Sequence, residues 1–299
     1  MEYIEREKYI PQQQRCINEY NASMSYTAPM SYAYKTKYGK YSDRNTNNWS
    51  QNTKTYNNYR NVLSLKRLIF PPIADDKLCQ LLIDDESIKF ITFASSAQEI
   101  TNIIMNNLSD FPCPDSNNAE KWKEKPLNRK MKHLVISDMT AGVGGNVLNF
   151  ANYFKYVNAI EIDNIRYNYL NKNIKLYNHN NVNCYNADSL NLLVEKDDIA
   201  QDIIFFDPPW GGKNYKSYST LRLLFGEYSI ENVCKILFQR PPPSRSHNKM
   251  IIMKLPNNYD FDYMMEELKE YRCSKIQLER MTIVIIKNYQ IDNELIIIN

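Results

Sequence analysis

Strand-like and helix-like patterns alternate from His133 to Ile286, and this alternation constrains the fold more than any other feature of the sequence. Short apolar runs predict strands, and apolar residues spaced at i, i+3, i+4 and i+7 predict the helices between them. Repeated β-α units favour a mostly parallel seven-stranded sheet with helices on both faces, and the β-rich segment 276–286 indicates an antiparallel strand near one edge. Five earlier strands are predicted, at Leu134–Ser137, Val157–Ile162, Val182–Tyr185, Asp202–Phe206 and Met250–Leu255.

The chain is expected to have three regions. Residues 1–60 are polar and rich in Tyr and Asn, which predicts a disordered extension. Its Tyr- and Lys-rich part, 31–41, has an alternative interpretation as a platform for single-stranded nucleic acid. Residues 61–132 predict a helical lobe and a loop that contribute to a substrate site. Residues 133–299 form the predicted α/β core.

Two features of the predicted lobe can be placed more closely. Apolar residues at helical spacing predict a helix over 97–108, with Ser95 or Ser96 as its N-cap. Residues 112–132 follow it and carry Pro-Cys-Pro and a basic stretch, which predicts a surface loop.

Composition excludes several classes of protein. A net charge of +3 is too small to predict nucleic-acid binding from bulk charge. The six cysteines and three histidines are scattered, so no metal site is expected, and this pattern suits a reducing compartment. The N-terminus lacks the order of a signal peptide, and no apolar run is long enough to span a membrane. We therefore expect a soluble intracellular protein, nuclear or cytoplasmic, with no membrane partner, acting as a monomer.

The segment Asp207-Pro208-Pro209-Trp210-Gly-Gly follows directly on a predicted buried strand. Because the prolines fix φ and carry no N–H, the carbonyl of Pro208 can point outward beside the carboxylate of Asp207. Two such acceptors can bind both hydrogens of a planar amine, such as adenine N6, guanine N2 or cytosine N4, and Trp210 can stack on the base. The alternative is an ordinary turn after a strand.

A glycine-rich loop follows the first predicted strand and opens into a helix. It contains Asp138, Thr140, Gly142, Gly144, Gly145 and Asn146. The dinucleotide fingerprint requires a third glycine where this chain has Val147, and Asp138 would repel a pyrophosphate. A cationic ligand with an amino-acid portion, such as S-adenosylmethionine, fits better, although a purely structural turn is the alternative.

Acidic residues end the next two predicted strands. Glu161 and Asp163 follow the second strand, where a carboxylate can accept both hydroxyls of a ribose. Asp188 follows the third strand and could accept from an adenine amine. Any one of these acids alone would be read as a loop residue or a helix cap. With Asp138 and Asp207, however, acids end four successive strands at the edge where open α/β sheets bind ligands.

Taken together, these segments resemble the cap guanine-N2 methyltransferases, or trimethylguanosine synthases, within the class I S-adenosylmethionine-dependent methyltransferases. The resemblance spans about residues 90–290 and is carried by four segments: 138–151, 159–163, 207–212 and 251–257. It implies a Rossmann-like fold, S-adenosylmethionine as cofactor and capped RNA with a 5′ N7-methylguanosine as partner.

The resemblance also implies roles for individual residues. Asp138 and the loop Gly142–Gly145 would hold the methionine part of the cofactor, Glu161 the ribose and Asp188 the adenine. The segment from Asp207 to Trp210 would hold the methyl-accepting guanine. Further substrate-binding positions are Phe93, Ser96, Asn173 and Asn257.

Three positions depart from that family. Asp207 stands where the family often has Ser, Asn257 replaces a basic residue that contacts the cap phosphates, and Ser96-Ala97 replaces Thr-Pro. The function predicted is methylation of the cap guanine N2, giving the N2,N7-dimethyl or the N2,N2,N7-trimethyl form. One alternative is a guanine-N2 or adenine-N6 methyltransferase of internal RNA or DNA. Another is a catalytically silent scaffold that binds the cap or RNA.

Overall fold

The computed structural model describes residues 62–114, 119–196, 199–239 and 248–289, without the side chains of 194–196 and 213. The predicted extension at 1–60 lies outside these residues. The chain divides between Leu82 and Ile83 into two compact units.

The described part of the first unit contains two helices. Residues 62–69 form helix α1, and Asp75–Leu78 form helix α2. The Lys66 ammonium is buried and donates to the carbonyl of Cys79 at 2.9 Å, which satisfies its charge inside an apolar cluster. Cys79 is also disulfide-bonded, which the scattered cysteine spacing did not predict. The buried apolar side chains here are Ile69, Phe70, Leu78, Cys79 and Leu81.

The second unit is built on a seven-stranded sheet. Its strands are β1 Val135–Asp138, β2 Tyr156–Glu161, β3 Val182–Asn186, β4 Ile203–Phe206, β7 Met250–Leu255, β8 Arg272–Gln277 and β9 Thr282–Lys287. Two short strands, β5 Leu224–Phe225 and β6 Tyr228–Ser229, pair as a separate hairpin. The sheet order is β3-β2-β1-β4-β7-β9-β8. The first five strands in this order are parallel, and β9 is antiparallel to both neighbours, as the sequence predicted.

Helices connect and cover these strands. They are α3 Ala94–Asn106, α4 Ala119–Lys123, α5 Leu127–Met131, α6 Val147–Phe150, α7 Asn164–Leu176, α8 Ile230–Phe238 and α9 Phe261–Glu267. Short 3-10 helices lie at Ser87–Lys89 and Lys213–Ser217, and a π-helix at Asn191–Lys196. Among the helices that the structure describes, none is both long and apolar enough to cross a membrane.

Strand β4 shows that both faces of the sheet are covered. Side chains along a strand alternate between its two faces. Phe205 packs edge-on against Phe150 of α6, with ring centroids 5.3 Å apart. Ile204 and Phe206 point the other way, into a buried cluster that includes Val233 and other apolar residues of α8. All four residues of β4 are buried, which explains why the strand reads as a continuous apolar run rather than an alternating one.

The region between α3 and β1 differs from the sequence prediction. Residues 112–132 were expected to form a surface loop, but the structure places helices α4 and α5 there. Trp122 is buried, and its indole N–H donates to the carbonyl of Phe111 at 2.6 Å. The buried Lys130 ammonium lies 5.4 Å from the Trp122 ring centroid and donates to the Leu108 carbonyl at 3.2 Å. The prediction of a surface loop failed because the basic residues around Trp122 suggested a solvent-exposed segment. The segment is instead amphipathic and is anchored by that tryptophan.

The N-terminus of α3 also differs. The helix begins at Ala94 with Phe93 in the N-cap position, and no side chain caps it. Ser95 and Ser96, the predicted caps, therefore lie within the first turn. The backbone of Phe93 is extended, and the preceding residue, Thr92, is buried.

Candidate active site

The acids predicted at the strand ends do gather at the carboxyl edge of the parallel strands. Glu161, at the end of β2, is buried and accepts two backbone hydrogen bonds. Its Oε2 accepts from the N–H of Gly142 and its Oε1 from the N–H of Asp163, each at 2.8 Å. Burial raises the pKa of the Glu161 carboxyl, and the two N–H groups oppose that rise. Glu161 thus joins the glycine loop to the end of β2.

The glycine loop is held against the segment that precedes α3. A Cβ on Gly145 would lie 2.8 Å from Cγ1 of Ile91 and 2.9 Å from the carbonyl oxygen of Thr92. Gly142 has a φ of +54°, in the region that glycine adopts most readily. Asn146 donates its amide to the Thr92 hydroxyl at 3.2 Å. Close backbone approach therefore explains the glycine at 145, and the positive φ explains the glycine at 142.

Asp138 is fully buried and only half satisfied. Its Oδ1 accepts from the N–H of Thr140 at 3.0 Å, while Oδ2 has no partner among the described residues. Burial, together with the neighbouring charges of Asp207 and Glu161, raises the pKa of this carboxyl to about 7, although the N–H of Thr140 and the charge of Lys254 oppose the rise. An anion in this position requires a cation.

The glycine loop accordingly fits the amino-acid end of S-adenosylmethionine. A second buried acceptor, Oδ1 of Asn146, also lacks a donor among the described residues. Two unsatisfied acceptors flanking one loop match an ammonium group with three N–H donors. Asp138 and Asn146 would hold that ammonium, and Glu161 would face the ribose.

Asp207, at the end of β4, forms an ion pair that the sequence did not reveal. Lys254 of β7 donates its ammonium to Oδ2 of Asp207 at 2.6 Å and to the Thr92 hydroxyl at 3.0 Å. No described residue donates to Oδ1 of Asp207, and its side chain is 20% exposed. The Asp207 N–H donates to the Thr140 hydroxyl at 3.2 Å. Oδ2 of Asp207 is therefore bonded to the protein, whereas Oδ1 is available to a ligand.

Trp210 lies beside this pair. Its indole N–H donates to the carbonyl of Lys254 at 3.3 Å, and the Lys254 ammonium lies 5.4 Å from its ring centroid. Tyr215 meets it edge-on, with centroids 5.1 Å apart. Trp210 is half-buried, Pro208 is buried and Pro209 is exposed. The indole is thus fixed at one edge while part of it remains accessible.

Two other residues predicted to bind the cofactor, Asp163 and Asp188, accept hydrogen bonds from backbone N–H groups. Asp163 is the N-cap of α7, because its Oδ1 accepts from the N–H of Arg166 at 2.9 Å. Asp188 lies just beyond β3 and accepts from the N–H of Leu190 at 2.8 Å. Neither contact uses all of the acceptor capacity of a carboxylate, so their roles toward ribose and adenine stay predictions.

Two residues predicted to bind substrate, Asn173 and Asn257, donate to backbone carbonyls, and their contact with substrate stays a prediction. Asn173 is 0% exposed and donates its amide to the carbonyl of Val143 at 2.9 Å, so it supports the glycine loop from behind. The Asn257 amide donates to the carbonyls of Leu278 and Glu279, each at 3.2 Å, in the turn between β8 and β9. Both amides hold loops in place through partners more than 20 residues away in sequence.

Phe93 and Ser96, the other two residues predicted to bind substrate, are accessible, as that role requires. Both are partly exposed on the start of α3, and Phe93 directly follows Thr92, which bonds to Lys254. Their contact with substrate stays a prediction.

Sequence reasoning missed Lys254, Thr92 and Tyr215. A signal for Lys254 existed, because a lysine within the apolar run Met250–Leu255 of a central strand must find a buried partner. Thr92 carried no such signal, since its contact with Lys254 joins segments 162 residues apart.

The close approach at Gly145 leads to a test. Gly145→Ala is expected to lower the free energy of unfolding by about 1–3 kcal/mol, because the Thr92 backbone cannot move away as a flexible side chain would. It should also weaken S-adenosylhomocysteine binding, since the loop would shift. Urea unfolding and calorimetric titration measure the two effects. Unchanged stability and affinity would show that the segment 91–92 does not press on the loop.

The parallel sheet with one reversed strand, the glycine loop and the strand-end acids define a class I S-adenosylmethionine-dependent methyltransferase. Residues 133–297 match the family model described as RNA cap guanine-N2 methyltransferase. The chain is also 61% identical, over 229 residues, to an uncharacterized protein of Acanthamoeba polyphaga mimivirus, covering 77% of this chain and 88% of that one. The chain belongs to the RNA cap guanine-N2 methyltransferase family, and its cofactor is S-adenosylmethionine.

Solved structures of methyltransferases are also similar. A Thermus thermophilus 16S rRNA N2-guanine methyltransferase in complex with AdoMet and guanosine has a TM-score of 0.45 and 13% identity, covering 70% of this chain and 44% of that one. The present chain thus spans less than half of that protein. A putative methyltransferase from Escherichia coli has a TM-score of 0.42 and 14% identity, covering 70% and 92%. Family membership rests on the match of residues 133–297 to the family model.

Proposed function

We propose that this protein methylates the N2 amine of the 5′ cap guanine of RNA. The observation that carries the proposal is the open Oδ1 of Asp207 beside the accessible Trp210 ring, at the edge that also bears Asp138 and Glu161. The family match supports the choice of guanine N2 over other amines.

Bound S-adenosylmethionine supplies an electrophilic methyl group on a sulfonium, and the protein must present the acceptor amine to it. Oδ1 of Asp207 would accept one N2 hydrogen and the carbonyl of Pro208 the other. Two acceptors placed at an angle draw the amine toward a pyramidal shape, which frees its lone pair for attack. As the N2–methyl bond forms and the methyl–sulfur bond breaks, Asp207 would stabilise the positive charge that moves to the amine and would accept its proton. Most of the rate would come from this positioning.

Trp210 would stack on the guanine and exclude water from one face. An N7-methylated guanine carries a positive charge, and an electron-rich indole is a favourable partner for it. Asn257 is bound to the β8–β9 turn, so cap phosphates would need other contacts. The region from Pro208 to Gly226 contains no Asp or Glu and has two lysines, Lys213 and Lys216, whereas its arginine, Arg222, is paired with Asp260 at 2.9 Å. This charge balance suits an approaching polyphosphate.

The proposal predicts methyl transfer to a free N7-methylated cap dinucleotide. The assay compares this substrate with the unmethylated cap dinucleotide and with an uncapped oligonucleotide containing internal guanine and adenine. Mass spectrometry of digested products locates the methyl group, and a time course distinguishes one transfer from two. We expect the N7-methylated cap to react fastest, because its charge strengthens stacking on Trp210.

Three other outcomes have distinct meanings. Transfer to the oligonucleotide but not to the cap would identify a methyltransferase of internal bases. Equal rates for both cap dinucleotides would remove the N7-methyl requirement. Absence of transfer, together with failure of S-adenosylhomocysteine to raise the Tm, would favour a silent scaffold.

A further inference from the structure

The buried ammonium of Lys254 has partners on both sides of the acceptor site. Its side chain is 6% exposed and lies on β7, one residue beyond the last registered pair with β4, Phe206 and Met253. It pairs with Asp207 through its side chain and with Trp210 through its backbone carbonyl. Lys254 therefore contacts both Asp207 and Trp210, the two residues that bind the base in the proposed function.

We propose that Lys254 is a positioning residue, which holds the Asp207 carboxylate ionised, occupies its Oδ2 and leaves Oδ1 directed at the acceptor amine. This inference rests on the proposed function in so far as Asp207 receives the amine. The Thr92 hydroxyl supplies the second acceptor for the ammonium, so Lys254 cannot swing away from Asp207 without losing a buried hydrogen bond.

The charges around Asp207 explain why it needs this cation. Asp207 shares this edge with Asp138 of β1 and Glu161 of β2, and its charge and that of Glu161 both raise the pKa of Asp138. Lys254 is the cation that faces Asp207 among the described residues, and Thr140 and Thr92 contribute only hydroxyl groups. Burial raises the pKa of the Asp207 carboxyl, and the charge of Lys254 opposes that rise. Without Lys254, a larger share of Asp207 would be protonated at neutral pH and could no longer accept in the same way.

Lys254→Met is therefore expected to lower kcat/KM about tenfold at pH 7, with activity recovering as the pH is raised. The recovery follows because the Asp207 carboxyl would ionise at a higher pH than in the wild type. Lys254→Arg should keep the wild-type pH profile at a reduced kcat, since the positive charge remains. Binding of S-adenosylhomocysteine, measured by calorimetry, should change little in either variant.

Lys287→Met is the matched control. Lys287 is 9% exposed, lies on the next strand, β9, and pairs at 2.8 Å with Asp110, a carboxylate that also binds Arg272 at 2.7 Å. Its loss should lower the Tm without moving the pH profile of methyl transfer. A shift of the profile in this control would mean that any lost buried lysine perturbs the site.

A double-mutant cycle separates positioning from general destabilisation. If Lys254 acts through Asp207, Lys254→Met should cost little more in an Asp207→Asn background. The double variant also carries neither buried charge, so it keeps the test available if Lys254→Met alone fails to fold. Fully additive losses, or a Lys254→Met profile parallel to the wild type at every pH, would overturn the inference.

Thermal unfolding measured as a function of pH tests the ion pair between Lys254 and Asp207 without any substrate. In Lys254→Met the folded pKa of Asp207 would lie further above its unfolded value than in the wild type. The Tm deficit should therefore grow as the pH rises above the unfolded pKa of about 4, until the folded pKa is passed. Asp207→Asn should abolish this dependence. A wild type inactive on every cap substrate would refute the proposed function, whereas a pH-independent Tm deficit would refute the ion-pair inference.

Discussion

Trp210→Ala is expected to lower kcat/KM for a capped substrate roughly 100-fold while leaving S-adenosylhomocysteine affinity near the wild-type value. Stacking of one base on an aromatic side chain contributes about 1–3 kcal/mol, and each 1.4 kcal/mol is a factor of about ten. Cofactor binding should persist because the contacts of Trp210 are with Lys254 and Tyr215, not with the glycine loop. Methyl transfer to a cap dinucleotide and calorimetric titration provide the two measurements.

Two further variants control for the loss of the indole N–H. Trp210→Phe keeps a ring but loses the bond to the Lys254 carbonyl, so most of the activity should return. Trp122→Phe loses a similar indole–carbonyl bond, to Phe111, in the region before β1. It should lower stability and leave kcat/KM unchanged. Activity of Trp210→Ala close to the wild type would exclude Trp210 from the site.

Asp138→Asn is expected to change ligand-free stability and cofactor affinity in opposite directions. The variant removes a buried, half-satisfied carboxylate that lies among Asp207 and Glu161, so the ligand-free Tm should rise by about 5 °C at pH 8. Affinity for S-adenosylhomocysteine should fall roughly 100-fold, because the ammonium of the ligand loses its buried counter-charge. Differential scanning fluorimetry and calorimetry test the pair of effects.

The raised pKa of Asp138 also determines how the Tm difference between Asp138→Asn and the wild type changes with pH. The folded pKa of Asp138 is about 7, whereas an unfolded aspartate titrates near ~4. A raised folded pKa means that stability is present below pH ~4 and lost as the pH rises to about 7. The Tm advantage of Asp138→Asn should therefore grow through this window and be complete above it.

Asp202→Asn is a suitable comparison for Asp138→Asn. Asp202 precedes β4, accepts from the N–H of Val135 at 2.8 Å and also has a raised pKa caused by burial. Because it lies at the other end of β4, its replacement should leave cofactor affinity unchanged. Equal loss of affinity in both variants would mean that Asp138 does not bind the ligand directly.

Much of the sheet could be predicted because its signals are local. The run Met250–Leu255 was predicted at its observed bounds, since five of its six residues are apolar. The acids Asp138 and Glu161 were predicted at strand ends for the same reason, because parallel strands deliver their carboxyl ends to one edge. Hydrophobic periodicity fixes such positions without knowledge of distant residues.

The remaining features depend on partners that are remote in sequence. Nothing near Asn173 indicates that its amide lies beneath the glycine loop, 30 residues away. Nothing near Trp122 indicates that its indole meets the carbonyl of Phe111 rather than solvent. A short polar side chain can serve a ligand or the backbone equally well, and only three-dimensional packing decides between them.

The sequence separation between contacting residues of the candidate site also bears on the order in which the parts of that site form during folding. Gly142 and Glu161, on the methyl-donor side, are 19 residues apart, whereas Asp207 and Lys254 are 47 apart and Lys254 and Thr92 are 162 apart. Contacts between distant residues carry a larger loop-closure entropy and form later in folding. The donor side can therefore assemble early from neighbouring β-α units, while the acceptor side closes only after β7 joins the sheet. We therefore expect the acceptor side, which depends on contacts between residues more distant in sequence, to form after the donor side.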